Sequence, residues 1–478
     1  MLQITKKYVA LLFLILTRIS FISCMQESQV GKEIKNRPNV VYINVDDLGW
    51  KDLGFMDNGY FETPNIDQFS KQAIRFTNSY ASAANCAPSR ACLMTGQYAP
   101  RHGIYTVSPS ARGKSNTRKL IPVKNTDTLP SALVTMADLF KLAGYKTGTF
   151  GKWHLGNDPL QQGFDVNVAG SLRGNPGKDG YFSPYKVSNI ENGPDGEHLT
   201  DRLTSEAIQF LRKNKDAPFF LYLPFYSVHT PILAKEKLIK KYQAKNQNPL
   251  EINPTYAAMV ETMDTNVGRL LKELDKLGLA KNTIVVFTSD NGGIRSIAPQ
   301  HPLRAGKGSY YEGGTRVPCI IRWPGIVKPD TSSDQPIINI DFFPTFKELL
   351  HIELKERVLD GQSLLPILKG NRTASRPIFW HFPIYLQSYD PAKDDGRDLL
   401  FRTRPGSTVL LEGWKLHWYH EDQGIELYYL PDDAGERNNI ADKKPKKVAE
   451  LLEVLKTWQA KVGAPIPTEL NPDYMSGK

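Results

Sequence analysis

Cysteine is scarce, with four in 478 residues. That is too few to staple a chain of this length, so a disulfide scaffold is excluded. Long apolar runs are also missing: beyond residue 16 none approaches the roughly 20 residues that a membrane-spanning helix needs. There is no internal repeat, and the 33 Pro and 36 Gly are scattered rather than periodic, which excludes collagen-like and Pro-rich fibrous architectures. Neither sign of charge dominates, with 60 Lys+Arg against 50 Asp+Glu and a formal net charge of +10. With 40% hydrophobic and 23% charged residues, global disorder is excluded. The basic excess suits an anionic partner without choosing among nucleic acid, anionic lipid and acidic polysaccharide. The length allows two to four units, or one large α/β domain with an appendage.

Lys6 and Lys7 precede an apolar run over residues 8–16, which ends at Thr17-Arg18. A charged region before about ten apolar residues reads as a secretion signal over residues 1–23, too short to span a bilayer. Ile22-Ser23-Cys24 resembles the end of a bacterial lipobox, although Phe21 departs from the small aliphatic residue usual there. The expectation is a lipidated Cys24 followed by a polar tether to residue 36, with simple cleavage near Cys24 as the alternative. Loss of Lys6, Lys7 and Arg18 with the leader would lower the net charge from +10 to about +7. The chain is therefore expected to be exported, as a periplasmic or outer-membrane lipoprotein of a Gram-negative bacterium.

Residues 39–45 form a compact apolar β run that ends directly in Asp46-Asp47, and residues 145–150, 219–223 and 283–288 read similarly. Helical patterns lie between them over residues 132–143 and 256–277, each closed by glycine. In the second, Met259, Met263, Val267, Leu270, Leu274 and Leu277 mark one buried face. Buried-looking strands alternating with helices predict an α/β fold with a mostly parallel sheet covered on both faces. Residues 375–430 turn rich in Trp, Tyr and Phe. Runs at 408–411 and 415–419 predict a small antiparallel sheet there, and 447–462 a final amphipathic helix.

Polar groups at the C-terminal ends of parallel strands form the default site of an open α/β sheet. Two predicted strand ends carry them, Asp46-Asp47 and Asp290-Asn291. Four hard oxygen donors suit Ca²⁺ or Mg²⁺, although Asp-Asn-Gly is also an ordinary turn and Asp-Asp an ordinary solvated loop. The segment at 85–96 is more specific. Its Cys86, Pro88, Ser89, Arg90, Thr95 and Gly96 resemble the C-x-P-S-R…Thr-Gly hallmark of the formylglycine-dependent sulfatases, in the alkaline-phosphatase-like superfamily. A buried free thiol would account for Cys86 but not for its neighbours. Blocks at 44–49, 63–67, 151–156, 228–231, 289–293, 303–314 and 426–439 are similar to the family's others and follow its order.

The resemblance implies an alkaline-phosphatase-like catalytic domain over residues 37–370, its mostly parallel sheet sandwiched by helices. A smaller C-terminal subdomain of antiparallel sheet plus helix would fill 371–478. It implies a sulfatase acting on a sulfated polysaccharide or oligosaccharide, whether algal (ulvan, carrageenan) or glycosaminoglycan, with no nucleic-acid partner. A separate maturation enzyme would convert Cys86 to Cα-formylglycine (3-oxoalanine). Asp46, Asp47, Asp290, Asn291 and the modified Cys86 would ligate one divalent ion, Ca²⁺ rather than Mg²⁺. Arg90 and Lys152 would hold the formylglycine hydrate and the sulfate, and Lys307 the sulfate and the bridging oxygen. His229 would be the general acid for the departing alcohol, and His154 the base that collapses the enzyme–sulfate adduct. The inventory makes physical sense, because an anionic sulfate ester repels nucleophiles until cations neutralise it. Two histidines titrating near neutrality suit two proton transfers.

Cys92 and Cys319 read as reduced, buried bystanders, and the Asn371-Arg372-Thr373 sequon as a chance triplet. Arg295, His301, Arg304, Trp380 and His381 are candidates for binding the sugar and its charges, with ordinary packing as the alternative. Loops at 108–125, 170–196 and 380–404 are expected to choose the sugar. Two other functions fit parts of the pattern. One is a formylglycine-dependent phosphodiesterase or phosphonate hydrolase of the same superfamily, against which Asn291 speaks, since phosphate-processing relatives usually carry Asp-His there. The other is a glycan-binding lipoprotein without turnover.

Overall fold

A computed structural model describes residues 37–475 apart from 57, 246, 249 and 356. The expected leader, the Cys24 lipidation site and the tether lie outside the described residues. Asn39–Val45 is buried at all seven positions and is flanked by two parallel neighbours, Phe219–Pro224 and Thr283–Ser289. Such a strand has no solvent face, which is why its sequence is an unbroken apolar run rather than an alternation. The eight-stranded sheet runs in the order Val166–Val168, Lys146–Phe150, Phe219–Pro224, Asn39–Val45, Thr283–Ser289, Cys319–Arg322, Ile74–Phe76, Thr331–Ser333. Cys319–Arg322 alone in this sheet is antiparallel to both its neighbours.

Side chains alternate across the central strand. Val41, Ile43 and Val45 meet Leu203 and Met259 from the helices Leu199–Lys213 and Pro254–Lys276. Val40 and Tyr42 meet Ala87, Phe140 and Phe342 from Cys86–Thr95, Met136–Leu142 and Phe342–Leu349. The long helix starts where Asn253 accepts hydrogen bonds from the Thr255 and Tyr256 amides and Pro254 fills the first turn. The helix expected from 132 begins only at Met136. Thr135 and Asp138 cap each other there in a capping box, so the preceding residues are held in a turn.

A second, four-stranded antiparallel sheet has the order Ile378–Phe382, Gly406–Leu411, Trp414–Tyr419, Ile425–Tyr429. The helix Pro445–Val462 packs on it and is closed by Gly463 in the left-handed region. This sheet is not insulated from the first. Phe379 stacks on Trp458 at 4.5 Å, and Tyr98, which follows the Cys86 helix, packs edge-on to Trp458 at 5.2 Å. No helix among the described residues is long and apolar enough to cross a membrane.

The helix–sheet layer on the side of the Cys86–Thr95 helix has a direct test. Phe220 is fully buried and stacks on Phe140 at 4.2 Å. Phe220→Ala should cost about 3–5 kcal/mol, measured as a lower denaturation midpoint. A loss under about 1 kcal/mol would show that this contact does not carry the layer.

Candidate active site

The register of two strands assembles the first half of the site. Val45 pairs with Ser289, so the residues that follow each strand, Asp46-Asp47 and Asp290-Asn291, emerge side by side. The Asp290 amide donates to the Val45 carbonyl at 3.1 Å. Asp47 then turns into the left-handed region (φ 61°), unusual for a residue with a Cβ. Its amide donates to Asp290 Oδ1 at 3.2 Å, and Asn291 Nδ2 donates to Asp47 Oδ1 at 2.8 Å. A buried triad supports the loop from behind. Asp52 accepts from the Gly49 amide and Gln300 Nε2 at 2.8 and 2.9 Å, and also from the Tyr256 hydroxyl. Burial lifts the Asp52 carboxyl to about 6 against these hydrogen bonds.

Cys86 begins the helix Cys86–Thr95 and is 1% exposed. Its Sγ lies 3.3 Å from Asp46 Oδ1 and 3.8 Å from Asp47 Oδ1. Other positions of this segment serve the scaffold. Asn339 donates to the Ser89 carbonyl and hydroxyl, Thr95 donates to the Ala91 carbonyl, and Gly96 closes the helix at φ 68°. Arg90, one turn on, projects into the site. It donates from Nε to Asp290 Oδ2 at 2.8 Å and from Nη1 to the Lys152 carbonyl at 2.7 Å. Its Nη2 is buried without a hydrogen bond and lies 3.9 Å from Asp46 Oδ1.

The remaining four groups come from three loops. Lys152 is fully buried, with Nζ 2.7 Å from Asp46 Oδ2. Its backbone can sit there because Gly151 passes the Pro224 carbonyl so closely that a Cβ would lie 2.1 Å from that oxygen. Lys307 reaches Asp47 Oδ2 at 2.7 Å, and its amide donates to the Gly293 carbonyl at 2.8 Å. His229 Nδ1 lies 2.6 Å from the Thr230 carbonyl, which can only accept, so Nδ1 carries the proton. His229 Nε2 faces Asp47 Oδ2 at 3.7 Å. Tyr181 holds the loop by donating to the Tyr226 and His229 carbonyls. His154 is also in the left-handed region (φ 65°), with an unpartnered buried Nδ1. A Cβ at Gly174 would come within 2.5 Å of its ring.

Three carboxylates (Asp46, Asp47, Asp290) are thus interleaved with three cations (Arg90, Lys152, Lys307), all nearly inaccessible to water. Burial, with Cys86 beside it, pushes the Asp46 carboxyl up. For Asp47, burial is outweighed by Lys307, His229 and Lys152, which hold it well below the usual carboxylate range. Burial lowers His154 strongly, and the cations Lys152 and Arg90 lower it further. Burial and Lys307 lower His229, with Asp47 opposing.

The donor set fits one hard divalent cation. Ligand atoms of Asp46, Asp47, Cys86 and His229 lie within 4.8 Å of one another, and Asn291 Oδ1 is a buried acceptor with no donor. Turning that amide over would point an oxygen where Nδ2 now meets Asp47. Asp290 and Asn291 border the cluster through Asp47, and His229, not among the ligands expected from the sequence, lies within it.

The sugar-binding expectations fare differently. Trp380 is fully buried, donating from Nε1 to the Ala81 carbonyl at 2.8 Å between the two sheets. His381 is buried between Ser407 and the Pro465 carbonyl, and burial pushes its imidazole down to about 3. Both are core residues of the C-terminal layer, which corrects the sequence reading. Arg304 lies over the Tyr311 ring at 3.9 Å and donates to the Gly396 and Glu436 carbonyls, a latch rather than a free cation. His301 is exposed. Arg295 pairs with Asp395 at 3.1 Å on the wall of a cleft of 620 Å³ that also contains Lys393, Arg397 and Arg437 and none of the six expected catalytic residues. Asp52, Tyr256, Gln300 and Tyr181 escaped the sequence reading, since nothing in their spacing ties them to the strand ends.

A family model described as Sulfatase matches residues 38–352. The chain belongs to the sulfatase family. A second model, N-sulphoglucosamine sulphohydrolase, C-terminal, matches residues 306–461. A protein named Sulfatase from Formosa agariphila is 32% identical over 522 residues, covering 92% of both chains. N-acetylgalactosamine-6-sulfatase of Rattus norvegicus is 32% identical over 423 residues, covering 82% of this chain and 74% of its own. The crystal structure of Ps i-CgsB in complex with k-i-k-neocarrahexaose superposes with a TM-score of 0.73 at 30% identity, covering 91% of this chain and 95% of that one. The protein is thus a sulfatase, a sulfuric ester hydrolase with the alkaline-phosphatase-like fold.

Three crowded carboxylates in this sulfatase should make a bound cation stabilising. At a concentration 100-fold above Kd the gain is about 2.7 kcal/mol, read as a higher Tm when Ca²⁺ is returned to chelator-treated protein. Asn291→Leu should shrink the rise, and an identical rise in both proteins would exclude Asn291 as a ligand.

Proposed function

We propose that the protein is an exported sulfatase that cleaves sulfate esters on a sulfated oligosaccharide or polysaccharide, with Cys86 matured to formylglycine and Ca²⁺ as the metal. The observation that carries this reading is the position of Cys86. It starts a buried helix beside the carboxylates of Asp46 and Asp47, and Arg90, Lys152, Lys307, His154 and His229 converge on the same cluster. The names of the relatives favour a carbohydrate: one acts on an N-acetylgalactosamine 6-sulfate, and one is seen with a neocarrahexaose. Maturation would need a partner enzyme that oxidises Cys86. A lipid anchor at Cys24, outside the cytoplasm, would place the site where sulfated polysaccharide is met.

The chain's own groups divide the work by charge and proton. When bound, the divalent ion would supply positive charge to Asp46, Asp47, Asp290 and Asn291 and lessen the hold of these carboxylates on the lysines. Matured Cys86 would supply, as an aldehyde hydrate, the hydroxyl that attacks sulfur. Arg90, Lys152 and Lys307 neutralise the ester's anionic oxygens in a site closed to water, where fixed cations act most strongly. His229, its Nδ1 committed to the Thr230 carbonyl, can hold a proton on Nε2 only as an imidazolium. Burial and Lys307 work against that form and Asp47 at 3.7 Å works for it; as the acid, Nε2 would hand its proton to the departing alcohol. His154 is kept neutral by burial and by the cations around it, and a neutral imidazole can accept a proton.

Four measurements bear on this. Release of sulfate rather than phosphate from paired 4-nitrophenyl esters is expected, and preferential phosphate release would favour the phosphodiesterase reading. Cys86→Ala should lower kcat by at least about 10³-fold, and the Cys86 peptide of active enzyme should have lost its sulfur by mass spectrometry. Near-parent activity of the variant would overturn the mechanism. His229→Ala should cost about 10²–10⁴-fold on a sugar sulfate, whose alkoxide needs a proton, and much less on 4-nitrophenyl sulfate. Equal losses would remove His229 from the role of acid.

A further inference from the structure

The rim of the site beside Lys307 holds two arginines without carboxylate partners. Arg112 donates from Nη2 to the Val107 carbonyl at 2.6 Å, while its Nε is buried with no partner. Arg402 is 4% exposed and donates from Nε to the Gln387 carbonyl at 3.0 Å and from Nη1 to the Lys307 carbonyl at 2.8 Å. Neither forms an ion pair among the described residues. Their neighbours Arg295, Arg397 and Arg404 are all paired with aspartates. Burial holds the Arg112 guanidinium below its usual range, and Tyr389, Arg402 and Cys86 are the groups near enough to act on it.

Tyr389 completes the group. Its ring stacks on the Arg402 guanidinium at 3.4 Å, yet the residue is 50% exposed, so one face is supported and the other is open. The turn that presents it is built, not loose. Asp394 accepts from the Ser388 hydroxyl and Tyr389 amide, both at 2.6 Å, and from the Asp390 amide at 3.2 Å. The Arg112 segment is fixed alongside, with the Tyr385 amide donating to the Ser110 carbonyl at 3.0 Å and the Arg112 amide to the Tyr385 carbonyl at 3.3 Å.

We propose that Arg112, Tyr389 and Arg402 form a subsite next to the sulfate site that seats the substrate's sugar ring on Tyr389 and reads a second anionic group on the saccharide. The proposal rests on the sulfatase reading of the adjoining site. An aromatic face takes the apolar face of a pyranose. Two guanidiniums with no carboxylate partner repel until an anion lies between them. Carboxylate and sulfate can each accept from the N–H groups that Val107, Gln387 and Lys307 leave free. The selected substrate is therefore a polyanionic saccharide, not a neutral sugar bearing a lone sulfate.

The test is binding to the full-length Cys86→Ser protein supplied with Ca²⁺, followed by calorimetry. The probes are N-acetylgalactosamine 6-sulfate, its 4,6-disulfate and its uronate-linked disaccharide, together with galactan disaccharides carrying one or two sulfates. In at least one set the second anion should tighten binding by about tenfold or more. Preference for the disulfates identifies sulfate as the second group, and preference for the uronate identifies carboxylate. Arg112→Gln and Tyr389→Ala should each erase that preference, while Arg112→Lys and Tyr389→Phe should keep most of it. No preference in any set, or a variant that weakens singly and doubly charged ligands equally, would overturn the proposal. Turnover of 4-nitrophenyl sulfate by the parent protein is scored separately, so a failure of the hydrolase reading is distinguishable from a failure of the subsite.

Discussion

The parallel pairing of Asn39–Val45 with Thr283–Ser289 is the constraint on which the site depends. Backbone hydrogen bonding fixes Val45 opposite Ser289, and slipping that register by one residue would turn every side chain of a strand to the opposite face. Burial on both faces leaves no register that spares the core, so packing energy locks the two strand ends together. Asp46-Asp47 and Asp290-Asn291, which follow, are then adjacent whatever their own electrostatics prefer. Three acidic side chains are forced into one dry volume by apolar contacts elsewhere in the sheet.

The rest of the site answers that crowding. Arg90 enters from the Cys86 helix, Lys152 from the loop after Lys146–Phe150, and Lys307 from a loop tied to Gly293. Each places a cation against one carboxylate, and leaving one buried charge without its partner costs about 3–5 kcal/mol. The same cations would suit an anionic ester, so on the proposed reading one arrangement would serve both stability in the resting protein and charge neutralisation with substrate. The strained left-handed conformations of Asp47 and His154 belong to this economy. They are tolerated where surrounding hydrogen bonds and close packing over-determine the backbone.

How far the sequence reveals this depends on whether the determinant is local. The four central strands and the helix Pro254–Lys276 are legible because unbroken apolar runs and a 3.6-residue period are local properties. The late start at Met136 is not, since it hinges on a reciprocal cap and not on hydrophobic period. The linear blocks locate Cys86, Arg90, Lys152, His154, His229 and Lys307, and the fold brings those residues to one place. Asp52, Tyr256 and Gln300 come from three distant segments and meet only once the sheet forms. Trp380 and His381 mislead for the converse reason: an aromatic–histidine pair has the same composition whether it faces a sugar or, as here, Ala81, Ser407 and Pro465 in a core. Arg304 likewise spends its charge on backbone carbonyls that no spacing announces.

Arg402 links two tasks that are usually separable. One edge of its guanidinium holds the Lys307 carbonyl, and one face carries the Tyr389 ring. A loop that varies among relatives is ordinarily free to drift, because its residues touch nothing the chemistry requires. Here a substitution or insertion that re-aims Tyr389 would pull on the backbone of a site lysine through a shared side chain. Changing selectivity by grafting the loop at 380–404 from another protein would therefore need Arg402 and Gly308 carried over as a unit, because a Cβ at Gly308 would lie 2.6 Å from the Arg402 Nη1 atom.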